Sequence, residues 1–155
     1  MSVTFSYVLE PATSNEREFE LHGKVRRDME LRYRLFKGTV GIVVDQTDLS
    51  VKHQIPVLDF VAALVFALRS VRSLRSYEFE FTVGEGNIRF ELSNDDEISV
   101  SASYSEETAT CRYDEFASSL HYLAVELVTD LESRSPNMAL SQSFKEIAAD
   151  ILLPI

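Results

Sequence analysis

PVLDFVAALVFALRSVRSLRSYEFEFTV, residues 56–83, changes its period partway through. From Pro56 to about Ser73 the apolar residues recur at helical spacing, with Val57, Phe60, Val61, Leu64, Leu68 and Val71 on one face of the wheel. Pro56 suits a first helical turn. The opposite face carries Asp59, Ala62, Ala63, Phe66, Ser70 and Ser73, which are small or weakly polar apart from Phe66. A helix apolar on most sides is predicted to be buried on most sides. Arg69, Arg72 and Arg75 gather at its C-terminus, where cations complement the helix dipole. From Tyr77 the period drops to two: Tyr77, Phe79, Phe81 and Val83 alternate with Glu78, Glu80 and Thr82. That pattern is a strand with one wet face.

Downstream, the strand continues as a meander. Gly84-Glu85-Gly86-Asn87 reads as a turn, then Ile88, Phe90 and Leu92 alternate with polar residues. Ser93 to Glu97 turns again into Ile98, Val100, Ala102 and Tyr104, and a short piece over Thr108–Cys111 follows. Phe116, Leu120, Leu123, Leu127 and Leu131 mark a helix capped near Asp114 and reaching about Ser133. A last helix over Leu140, Phe144, Ile147 and Ile151 starts after Pro136 or at the capping box Ser143-x-x-Glu146.

Upstream, Val3, Phe5, Tyr7 and Leu9 alternate as a strand, and Glu10 to Glu18 reads as a loop. Phe19, Leu21 and Val25, with a bulge at Gly23, read as a second strand. After a reversal near Arg26–Asp28, Met29, Leu31, Tyr33 and Leu35 read as a third. Lys37-Gly38 turns into Val40, Ile42 and Val44. The predicted fold is one α+β domain over residues 1–155. It is a mostly antiparallel meander of about 7 strands with three helices on one face, in the order four strands, helix, three strands, helix, helix.

The chain of 155 residues has the size of one domain and no low-complexity run. A single cysteine, Cys111, allows no internal disulfide, and the longest apolar run, Val61–Leu68, is far shorter than a membrane span. Met1 to Leu9 has no basic region before an apolar block, so no signal peptide is expected. The expectation is a cytoplasmic protein without membrane contact. The net charge is −10 and uneven. Residues 1–75 hold 11 Lys+Arg against 9 Asp+Glu, a balance of +2; residues 76–155 hold 4 against 16, a balance of −12. Such a field disfavours nucleic acid and favours a basic partner. The basic residues Lys24, Arg26, Arg27, Arg32, Arg34 and Lys37 are interleaved with Glu20, Asp28 and Glu30, as outward strand charges usually are.

Chemistry is sparse. His22, His53 and His121 lie far apart with one cysteine among them, so no metal site and no cofactor is expected. No nucleophile elbow, zinc-protease motif, phosphate loop or calcium loop is present. Cys111 falls at an inward strand position, as a small buried hydrophobe would. His53 with Asp45, Asp48 and Asp59 is the one constellation resembling acid–base chemistry; solvated loop carboxylates are its plainer explanation. Asp95, Asp96 and Glu97 fill one turn of the meander and Glu106 and Glu107 the next, at opposite ends of the strand between them. Glu126, Asp130 and Glu132 add acid to the second helix. Phe66 stands among small residues, either packed on a neighbouring helix or forming a homodimer or partner contact.

The stretch from Ile42 to about Leu131 resembles small acidic bacterial α+β proteins regarded as immunity proteins of polymorphic toxin systems. The residues that carry the likeness are Ile55-Pro56-Val57-Leu58-Asp59-Phe60, Tyr77-Glu78-Phe79-Glu80-Phe81 and Asp114-Glu115-Phe116. The resemblance brings no catalytic residues. It implies a non-enzymatic protein-binding module that neutralises a cationic toxin through an acidic surface. Two alternatives stand beside it: a small-ligand binder or enzyme with a pocket near His53 and Asp59, and a homo-oligomeric structural protein.

Overall fold

The computed structural model describes residues 2–22, 31 and 33–155. The chain is α+β, with antiparallel sheets and, among the described residues, four α-helices. Eight strands form two sheets of four, where the sequence suggests one meander of about seven. In the first sheet β1 (Val3–Leu9) pairs along its length with β2 (Lys37–Val44), Val3 opposite Val44 and Leu9 opposite Gly38. A short β3 (Thr47–Asp48) and β4 (Val51–Pro56) pair with the other side of β2. The second sheet is the expected meander, β5 (Ser76–Glu80), β6 (Asn87–Asn94), β7 (Glu97–Ala102) and β8 (Thr108–Arg112), in that spatial order.

The strand expected over Phe19 and Leu21 is instead part of α1, Ser14–His22. Its start is a side-chain N-cap: the Glu16 N–H, at the third helical position, donates to Thr13 Oγ1 at 3.2 Å. Leu31 and Tyr33 are helical rather than extended. The bulge at Gly23, the reversal near Arg26–Asp28 and the strand residues Val25 and Met29 lie outside the described residues.

Helix α2 (Val57–Leu74) follows β4 directly, and its C-cap Arg75 turns left-handed (φ 68°) straight into β5. As the sequence predicts, α2 is central: it touches β2, β4, β5 and β6 and two other helices, and Leu64, Val65, Leu68 and Val71 are fully buried. Helix α3 (Tyr113–Arg134) joins the sheets. Its Phe116 ring meets Phe5 of one sheet at 5.1 Å and Phe90 of the other at 5.5 Å, both edge-on. Arg112 precedes α3 without a side-chain cap, so Asp114 lies in the first turn, where the helix dipole favours acid, and caps nothing. A 3₁₀ turn (Met138–Leu140) leads to α4 (Gln142–Leu152), whose cap is Ser141 rather than Ser143: its hydroxyl accepts from the Phe144 N–H. Arg69 of α2 closes the other end of α4 by donating to the carbonyls of Asp150 and Leu153. The buried apolar side chains of both sheets form one cluster with those of α2, α3 and α4.

Candidate protein-binding surface

The His53 constellation does not converge. Asp45 follows β2 at one end of the first sheet, and Asp59 lies in α2, which starts at the other end. Seven strand steps of about 3.3 Å separate those ends, roughly 23 Å. Each acid has its own local partner. Asp45 accepts from the Ser2 N–H at 2.8 Å, and Asp59 from the Thr82 hydroxyl at 2.7 Å. The Ser50 hydroxyl, and then its N–H, hold the Asp48 carboxyl below the ordinary carboxylate range. A carboxylate held that way is a poor proton carrier near neutrality. His53 packs its ring on Phe81 at 5.7 Å. Gly84 (φ 86°) makes room for that ring: a Cβ there would come within 2.7 Å of Nε2. The crevice beside Asp59, walled by Ile55, Phe60 and Phe79, offers only ≈ 10 Å³. That holds about one water molecule and no substrate.

Cys111 is fully buried, and desolvation, followed by the charge of Glu115, pushes its thiol up to about 11. It is a neutral packing group at physiological pH rather than a nucleophile. Among the described residues no group of three or more His, Cys, Asp or Glu is placed to hold a metal ion. Among them, too, no helix is long and apolar enough to cross a membrane. Lys24, Arg26, Arg27 and Arg32 lie outside the described residues, as does the side chain of His22.

The acidic groups divide in three. Asp95, Asp96 and Glu97 sit in the β6–β7 turn beside cations: Asp95 pairs with Arg75 at 2.9 Å, and Glu97 lies opposite Arg112. Glu106 and Glu107 lie at the far end of β7, exposed, with the Glu107 N–H donating to Ser105. Glu126 and Asp130 are exposed one turn apart on α3 and, among the described residues, enter no ion pair. Asp130 accepts from the Tyr7 hydroxyl of β1. Desolvation first, then Asp130 and Glu126, keep that phenol protonated far above its ordinary range. Helical spacing places Tyr122 one turn before Glu126 and Val125 one turn after Tyr122, 75% and 41% exposed. The α3 face therefore joins acids that enter no ion pair among the described residues to an exposed aromatic and an exposed aliphatic side chain.

Phe66 is 57% exposed, and its ring meets Tyr77 edge-on at 5.6 Å rather than packing, among the described residues, under a neighbouring helix. The sequence had singled out Phe66 and the acids separately. It did not single out Tyr122, although its spacing of four from Glu126 on one helix is the signal that finds it. No family model matches the chain, and no curated protein or solved structure is similar to it.

Proposed function

We propose that the protein is a non-enzymatic binding module that captures a cationic protein, acting as an immunity protein against a bacterial toxin. The observation that carries this reading is the α3 face, where exposed Tyr122 stands one turn before exposed Glu126 and two turns before exposed Asp130, with Val125 beside it and no ion pair to either acid among the described residues. Such acid steers a basic partner and raises its association rate. A neighbouring aromatic supplies the kind of anchor that dominates interface energies. The reading also agrees with local acid partners, a buried neutral thiol and a crevice of water size beside Asp59. The test is whether a larger toxin is encoded beside this protein, and whether this protein binds that toxin and protects cells from it. Glu126→Lys with Asp130→Lys is expected to slow association at least tenfold and to remove most of its salt dependence. Absence of both binding and protection by the unaltered protein overturns the proposal.

A further inference from the structure

Strand β5 is the open edge of the second sheet. Its hydrogen bonds to β6 run from the Leu92 N–H to the Arg75 carbonyl and from the Phe81 N–H to the Gly86 carbonyl. In that register Tyr77 pairs with Phe90 and Phe79 with Ile88. Antiparallel pairing alternates, so the N–H and C=O groups of Ser76, Glu78 and Glu80 point away from the sheet. Among the described residues no strand lies on that side. Below the edge, α2 extends as a ledge: Phe66 is exposed against half-buried Tyr77, with half-buried Ala62 and Ala63 behind it. Above it, Glu78 and Glu80 face solvent. Arg89 lies 3.7 Å from Glu78 but makes its shorter contact, 2.7 Å, with Glu91.

We infer that β5 accepts an added strand from a protein partner, an extended segment whose residues alternate between cationic and apolar. Its backbone would take the outward groups of Ser76, Glu78 and Glu80, as strand addition requires. Alternate side chains would then meet two different surfaces: cations beside Glu78 and Glu80, and apolar groups on Phe66, Tyr77 and the alanine ledge. A second copy of this chain fits badly. The antiparallel register that pairs β5 along its whole length sets Glu78 against Glu78, and like charges directly opposite are destabilising. The same carboxylates that keep copies apart select a basic strand.

The inference rests on the cationic-partner reading but places a contact away from α3. The probe is a short peptide alternating lysine and valine, with a glutamate–valine peptide as control, added to the whole protein while amide exchange is followed by NMR. Tyr77 and Phe79 amides are expected to be protected throughout. Glu78 and Glu80 amides are expected to exchange freely alone and to slow at least tenfold with the lysine peptide only. Phe66→Ala, or Glu78→Lys with Glu80→Lys, is expected to weaken binding about tenfold, the scale of losing one anchor. Glu78→Pro removes an outward donor that β6 does not use, so it blocks docking in a folded protein. Equal protection by the glutamate peptide, or a dimer closed through β5, overturns the inference. Loss of peptide binding with Glu126→Lys and Asp130→Lys but not with the β5 variants overturns it and leaves the acidic-surface reading standing. Failure of the lysine peptide to bind overturns the strand-addition inference alone, since the acidic-surface reading is decided by toxin binding and protection.

Discussion

Helix α2 buries Val57, Leu58, Phe60, Val61, Leu64, Val65, Leu68 and Val71, and its contacts spread over both sheets and two helices. Helix α1 does the reverse. Leu21 is 82% exposed, while Glu16 is 2% exposed. One Glu16 oxygen accepts from the Phe36 N–H at 3.0 Å, and the other pairs with Arg134 at 2.7 Å. Glu20 accepts from the N–H groups of Asn137 and Met138, which open the 3₁₀ turn. So the described side-chain contacts of α1 are a few directed polar bonds, and those of α2 many undirected apolar ones. Losing one contact should therefore mean different things in the two helices. An apolar helix loses a share of its burial, whereas a polar one leaves charges stranded.

The largest effect is expected at Glu16. Phe36 is fully buried with φ 56°, a left-handed conformation that a bulky residue adopts only when its surroundings hold it there. Glu16→Ala removes the acceptor of its N–H and strands the Arg134 guanidinium, whose side chain is 21% exposed. Removing one partner of a buried ion pair costs about 3–5 kcal/mol, measurable as a lower urea midpoint. Replacing Glu16 and Arg134 together by methionine is expected to recover most of that loss, because no charge is then left unpaired. If the single and double variants are equally destabilised, directed pairing is not what holds α1. Next comes Leu64→Ala in the middle of α2, expected to cost about 3 kcal/mol as lost burial plus a residual cavity. Its loss should register equally in probes on both sheets. The Glu16 variant should first expose the amides of α1 to exchange, because that helix opens locally.

The same contrast explains what the sequence discloses. Helix α2 was legible because its residues obey one rule, burial of apolar side chains at a period of 3.6, and the meander was legible because Tyr77 to Tyr104 obeys the rule of period two. Helix α1 breaks both. Among its described side chains a carboxylate, Glu16, is buried and a leucine, Leu21, is exposed, while the sequence alternation of Phe19 and Leu21 imitates a strand. The division into two sheets was also hidden, since it depends on α2 standing between β4 and β5 and on Phe116 reaching both sheets, which are matters of tertiary distance. Of the candidate surface, the acidic residues were visible by charge alone. Which of them has a cation beside it was not, because the Asp95–Arg75 contact joins residues far apart in the chain.

The local signal that does announce α1 is the Thr13-x-x-Glu16 spacing, and it sets the smallest of these effects. Thr13 accepts the Glu16 N–H through its hydroxyl at 3.2 Å, and its carbonyl accepts the Arg17 N–H at 3.0 Å. Thr13→Ala deletes only the first of these bonds, and loss of such a cap costs about 1 kcal/mol. The cap also fixes where Glu16 stands on the helix. If that placement matters, Thr13→Ala and Glu16→Ala should not add: once the cap is gone, removing the carboxylate should cost measurably less than it does in the intact helix. A double variant whose urea midpoint falls by the plain sum of the two would separate cap from clamp, and would leave the buried carboxylate to hold α1 by itself.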